Sequence, residues 1–360
     1  MISDINYTDT ITAYIDYKES TTSLSMRGWW KDIQKDKHKN PLESWCYHAN
    51  NVFLRYFPYF YGRSLLYIAF SLPKVYYSTN NNCSHVTNFD SLILDLQLDV
   101  ILANHVDITQ LPSSILDWQV SRLDLFYTHE VPEKDKDDYL HAYKLLYLPR
   151  HKNNQYKNTS YLMSNFKKYK SSSVVVRIYD KDVEMYEKGI LTEANTLFYP
   201  TGVHEDVEKA IVIQDDGDLS CVVDGVYYSR IRIELQLRRR KLLNALKSKS
   251  VTIRDVFNES FQTSMINNYF ITLGLNRKIL SSCNFRKHID TNGFRTKKRA
   301  NIITCARLIR KGKSPYITGT SLSKDIVSRP TSNSYVKQLN TEGIHIVTTS
   351  TIDLIPIKLL

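Results

Sequence analysis

Apolar residues recur along this chain with two periods, one of about two residues and one of about 3.6, and these separate strands from helices. Thr10–Tyr17 (TITAYIDY), Val52–Tyr59 and Ser64–Leu72 are dense in Tyr, Phe and Ile and predict strands, the latter two ending at Pro58 and Pro73. Between Asn88 and His105, Leu92, Leu94, Leu96, Leu98, Ile101 and Leu102 fit a helix or a strand pair, and the absence of Gly and Pro favours the helix. Leu116–Tyr127 reads as a strand. Lys134–Leu148 reads as a helix opened by Asp135, Asp137 and Asp138, as the helix dipole prefers, and closed at Pro149. The polar, aromatic-bearing stretch 151–173 predicts a strand and an exposed loop. A strand at Val174–Asp180, a short helix to Lys188, an acidic turn QDDGD at 214–218 and a long strand at Val226–Leu237 follow. That strand runs into a basic helix, Arg238–Lys249. From Thr252 the period is helical through Val256, Phe257, Phe261, Met265, Ile266, Tyr269 and Phe270, which places a domain boundary near Ser248–Val251.

With 360 residues, 42% of them hydrophobic, the chain can bury one large core or two modest ones. Charge divides it more sharply. Residues 231–360 hold 24 basic and 7 acidic side chains, net +17, whereas residues 1–230 hold 24 and 30, net −6. The basic excess points to a polyanionic partner for the C-terminal third. The five cysteines are odd in number and never closer than 22 residues, so neither a disulfide framework nor a paired-cysteine zinc site is suggested. The start, MISDINYTDT, has no signal-peptide character, and no run approaches the ~18 apolar residues of a membrane span. A cytoplasmic protein with no membrane partner is expected. No repeat is visible, and Lys-Gly-Lys-Ser at 311–314 lacks the earlier glycine of a nucleotide-binding loop, which disfavours an ATP-driven machine and a small-molecule substrate.

Three strands share a polar face. In Val226–Leu237 one face carries Ile231, Ile233, Leu235 and Leu237, and the other Arg230, Arg232, Glu234, Gln236 and then Arg238. In Val174–Asp180 the apolar face is Val174, Val176 and Ile178, while Arg177 and Tyr179 face the other way with Lys181 just beyond. In Leu116–Tyr127, Leu123 and Leu125 oppose Arg122 and Asp124. A solvated sheet face explains any one of these strands. As neighbours in one antiparallel sheet, they bring Asp124, Tyr179 and Glu234 together among arginines. That set holds the parts of a DNA-nicking site: carboxylates for a divalent cation, a phenol as nucleophile at an exposed strand end, and cations for phosphate.

SRLDLFYTHE (121–130), SVVVRIYDKDVEMYEKG (173–189) and YSRIRIELQLRRRKL (228–242), in that order and spacing, resemble the gene II/X-type replication initiators of filamentous phages and related plasmids. Residues 306–346 are similar to the family's C-terminal region, with a basic helix and a final Gly-Ile-His-Ile. The resemblance implies a strand-specific endonuclease and ligase at a replication origin in a bacterial host. A tyrosine takes the 5′ phosphate and leaves a 3′ hydroxyl for a host polymerase. Tyr179 matches the nucleophile and Lys181 its accompanying lysine; Asp124 and Glu234 match the acidic strand positions, and holding Mg²⁺ or Mn²⁺ there is inferred from their chemistry. Tyr186 is an alternative nucleophile.

The expected fold is α+β. It has a central antiparallel sheet with helices on one face, of the nickase and relaxase or ferredoxin-like type (1–250), followed by a mainly helical basic domain (251–360). The DNA contacts expected are Arg122, Arg177, Arg232, Arg238, Arg239 and Arg240 in the first part. In the second they are Arg295, Lys297, Lys298, Arg299, Arg307 and Arg310, with Lys311 and Lys313 in the same cluster. Single-stranded and duplex origin DNA, with a host helicase and polymerase, are the expected partners. A repressor-like regulator that binds DNA without cutting it is the main alternative, and an RNA-binding structural protein a third.

Overall fold

The computed structural model describes residues 5–35, 40–49, 51–77, 86–87, 89–146, 152–156, 159–163, 173–187, 210–213, 219–223, 226–311 and 328–360. In chain order the strands are β1 (Ile5–Asn6), β2 (Thr8–Asp16), β3 (Trp30–Lys35), β4 (Pro41–Ala49), β5 (Val52–Phe60), β6 (Arg63–Ser71) and β7 (Val86–Thr87). They continue with β8 (Gln119–Pro132), β9 (Lys152–Tyr156), β10 (Thr159–Met163), β11 (Val174–Asp180), β12 (Ala210–Ile213), β13 (Leu219–Val223) and β14 (Val226–Arg238). The helices begin with α1 (Thr21–Met26), α2 (Leu72–Tyr77), α3 (Ser91–Ala103), α4 (Lys136–Lys144), α5 (Lys181–Glu187) and α6 (Arg239–Leu246). They end with α7 (Ile253–Val256), α8 (Glu259–Leu273), α9 (Ser282–Thr291), α10 (Thr296–Arg310) and α11 (Arg329–Thr341). The class is α+β, with a large antiparallel sheet and a helical C-terminal region.

The chain divides into two compact units, Met1–Tyr127 with Lys170–Val175 and Glu234–Met265, and Thr128–Tyr169 with Val176–Ile233 and Ile266–Leu360. The boundary expected near residue 250 lies inside Glu234–Met265, a stretch of the first unit.

In the first unit the strand order is β3-β4-β5-β6-β2-β8, with the end of β14 beyond β8. Each pair from β3 to β8 is antiparallel. Tyr61 and Gly62, with φ of 50° and 85°, close the β5–β6 hairpin between Phe60 and Arg63, the two positive φ values that a tight hairpin turn requires. Pro58 sits where the β5–β6 register breaks, so a residue without an N–H interrupts no ladder bond and the strand continues past it. Pro73 lies in the first turn of α2, which tolerates it for the same reason. Helix α3 forms as expected, capped by Asp90 onto the Leu92 N–H and burying Leu94, Leu98 and Leu102 at four-residue spacing. Gln262 of α8, fully buried, accepts from the Tyr7 N–H at 2.7 Å and donates to Asn6 Oδ1 at 3.0 Å and the Val256 carbonyl at 2.9 Å.

The second unit includes the β9–β10 and β12–β13 hairpins, the later part of β11 beside the earlier part of β14, helices α4 and α5, and the three C-terminal helices. His345 is a buried polar anchor there: its Nδ1 accepts from the Val347 N–H at 3.0 Å, so Nε2 carries the proton and donates to the Leu273 carbonyl at 3.1 Å. Gly274 faces that ring with φ of 76°, and a Cβ there would lie 2.4 Å from His345 Cδ2.

On the polar faces of the three singled-out strands the carboxylates, Tyr179, Arg230, Arg232 and Gln236 are buried and Arg122, Arg177 and Arg238 partly exposed, where a solvent-facing catalytic surface was expected. Every residue from Ile231 to Leu237 is buried, as are Leu123 to Phe126 and all of β11 except Arg177. Alternation reports which residues share a face; whether that face is covered depends on elements distant in sequence.

Candidate active site

In the second unit the Tyr-Asp-Lys-Asp segment ends β11 and starts α5. Asp180 caps the helix, its Oδ1 accepting from the N–H groups of Asp182 at 3.0 Å and Val183 at 3.1 Å. Burial, and then the charge of Asp182, push its pKa up to about 6. Lys136 of α4 bridges Glu133 at 2.8 Å and Asp180 at 3.7 Å. Asp182 accepts from the Arg230 N–H at 2.8 Å and from its Nε at 2.6 Å, with Arg230 Nη2 completing a buried ion pair. Lys181 is 2% exposed and pairs with Glu184 at 2.7 Å. Tyr179 is 8% exposed, which corrects the expectation of an exposed strand end. The Arg230–Asp182 pair was missed, although both residues lay in the matched segments, because their meeting is 48 residues apart in sequence. Tyr186 lies in α5, and its side chain falls outside the described residues.

Asp124 and Glu234 belong to the first unit, whereas Tyr179 and Lys181 belong to the second. Asp124 is fully buried and held by Arg122, whose Nε donates at 2.8 Å and whose Nη2 makes a second, shorter bond; Gln236 Nε2 reaches it at 3.4 Å. Both carboxylate oxygens are therefore engaged. No group of three or more His, Cys, Asp or Glu side chains able to hold a metal ion exists among the described residues. Asp124, with both oxygens so engaged, does not fit a divalent-cation ligand, and no step below runs through a metal.

The proposed DNA contacts divide by exposure. Arg232 is fully buried and Arg177 half-buried, so neither meets solvent as a free cation; Arg232 lies in the covered layer described above. Arg239 packs 5.5 Å over the Tyr14 ring and donates to Tyr14 and, at 3.0 Å, to Gln119. Arg122 and Arg238 are partly exposed and Arg240 exposed. In the second unit, Arg295 and Lys297 at the start of α10 and Arg307 near its end are exposed. Lys298 lies 5.0 Å over Phe294 and bonds Gln338, Arg299 donates to the Phe294 carbonyl at 2.8 Å and approaches Asp290 at 3.6 Å, and Arg310 donates to Ser282. Lys311 is exposed; Lys313 lies outside the described residues, as does QDDGD at 214–218.

No family model matches the chain, and no curated protein matches it. Among solved structures it is similar to the di-domain ARO/CYC BexL from the BE-7585A biosynthetic pathway, at 12% identity over 73% of this chain and 86% of that one, with a TM-score of 0.19. A likeness that weak carries no argument about fold or activity.

Proposed function

We propose that this chain is a strand-specific DNA-nicking and rejoining enzyme of rolling-circle replication, with Tyr179 as its nucleophile. The observation that carries the reading is the β11–α5 junction, where Tyr179 and Asp180 end a strand and Lys181 opens the helix that follows, in a chain whose last third carries +17. The sequence resemblance of three segments to gene II/X-type initiators supports it. The Tyr179 oxygen would attack the scissile phosphorus, forming a P–O bond and losing the phenolic proton, while the bond to the 3′ oxygen breaks and that oxygen takes up a proton. A 5′ phosphotyrosyl ester and a free 3′ hydroxyl result, and attack by a 3′ hydroxyl reverses the step without ATP. Because Tyr179 is 8% exposed, the residues covering it must withdraw for DNA to reach it.

The same burial favours a second reading, a DNA-binding regulator in which the enclosed ion pairs are structural and only exposed cations meet DNA. The two are separated by incubating the protein with labelled single-stranded DNA of its own replicon, with Mg²⁺ or Mn²⁺ and with chelator, and looking for a heat-stable covalent adduct. Nicking predicts an adduct that Tyr179→Phe abolishes while duplex binding stays within about twofold of wild type. No adduct, or equal adduct in the variant, removes Tyr179 from the reaction and leaves the regulator.

A further inference from the structure

A cleft in the second unit, lined by the start of α9, the end of α10 and Thr348, is built from cations. Arg286 of α9 and Arg307 and Arg310 of α10 line it together with Ser282, over an apolar floor of Phe285 and Ala306, and its volume is about 90 Å³. Among the described residues no acidic side chain lines it. Asp353, which meets this end of α9, has its two oxygens used by the Ser281 N–H at 2.6 Å and by Asn284 Nδ2 at 2.8 Å. Arg310 is fixed by its bond to Ser282, whereas Arg286 and Arg307 are exposed.

Guanidinium groups gathered without a carboxylate repel one another, and the cluster is relieved by an anion that accepts several N–H bonds at once. Planar forks match tetrahedral phosphate oxygens in pairs, and Ser282, whose hydroxyl donates to the Thr349 carbonyl at 2.8 Å while accepting from Arg310, holds one fork in place. The apolar floor adds a surface for a sugar or base edge beside the phosphate. We propose that this cleft is a phosphate-binding site, taking a phosphodiester of a nucleic-acid backbone. It assigns Arg286 and Ser282 a role that the run of charges along α10 did not disclose. Binding of phosphate there does not depend on Tyr179 chemistry; the backbone as its source rests on the DNA-binding reading above.

The test uses the full chain and two probes, inorganic phosphate followed by thermal unfolding and a labelled duplex followed by anisotropy at several salt concentrations. Arg286→Gln with Arg307→Gln is the informative variant, since both side chains are exposed and their loss leaves the core intact. Lys287→Gln, an exposed neighbour outside the cleft, is the control. Millimolar phosphate should raise the unfolding temperature of wild type and the control but not of the double variant. Duplex affinity of the double variant should fall roughly tenfold, with a salt slope shallower by about one per phosphate lost. Loss of phosphate stabilisation with unchanged duplex binding would keep the site and reassign its source to a free phosphate or nucleotide. Equal phosphate stabilisation in the double variant and wild type overturns the proposal. An Arg286→Lys, Arg307→Lys pair guards against a folding artefact: it keeps the charge but not the fork, and should bind phosphate between the two extremes. Tyr179 adduct formation is read separately, so failure of the cleft and failure of nicking are distinguishable.

Discussion

Asp182 and Arg230 are 2% and 5% exposed at their side chains and satisfy each other by two side-chain contacts and one backbone bond. Removing one partner strands the other charge away from water, which costs about 3–5 kcal/mol. Arg230→Met should therefore lower the urea midpoint strongly, and adding Asp182→Leu should restore much of the loss; a double variant no more stable than the single would mean the pair is not the reason. His345 gives a residue-level pH dependence. Burial first, and then the charge of Arg277, lower its pKa from 6.5 to about 4. Between those values the unfolded chain binds a proton that the folded chain does not, so stability present above pH 6.5 is lost as pH falls toward 4, by at most about 1.4 kcal/mol per pH unit. Asp180 opposes this, since its raised pKa lets the folded chain take up a proton first as pH falls below about 6. Urea titrations at pH 7, 5.5 and 4.5 should show a flatter profile for His345→Gln than for wild type, and identical profiles would count against the histidine.

Helices with a capping residue and an apolar stripe were legible, as α3 illustrates with Asp90 ahead of Leu94, Leu98 and Leu102. Strands β3 and β4 were not: β3 is exposed at nearly every position, so an edge strand shows neither an apolar face nor alternation. The joint between α8 and its surroundings was equally silent in sequence, because it rests on close approach and not on pattern. Gly274→Ala must place a methyl against His345 at a backbone φ of 76°, and should cost about 2–4 kcal/mol in chemical denaturation with the same cooperative transition. A variant within 0.5 kcal/mol of wild type would show that the ring moves aside.

The uneven charge is a property of the whole chain, and it bears on how the two units are tested. A fragment ending near 250 would lack Gln262 and its bonds to the first strands, so binding is better dissected in the full chain. Arg295→Gln with Lys297→Gln removes two exposed cations at the start of α10 and should make the duplex-binding salt slope shallower by about one unit per residue, without changing the unfolding temperature by more than a degree or two. An unchanged slope would place the DNA contacts elsewhere, or nowhere on α10.

By itself the sequence determined the α+β class, most strand and helix positions, and the basic C-terminal third. Those follow from period, capping and composition, which are local. Only the tertiary structure decided that Asp124, Tyr179 and Glu234 are covered, that Arg122 holds Asp124, that Arg230 answers Asp182, and that Arg286 joins Arg307 and Arg310 in one cleft. Burial depends on residues far apart in the chain, as does pairing across elements, and a charged side chain looks the same in sequence whether it meets water or a buried partner.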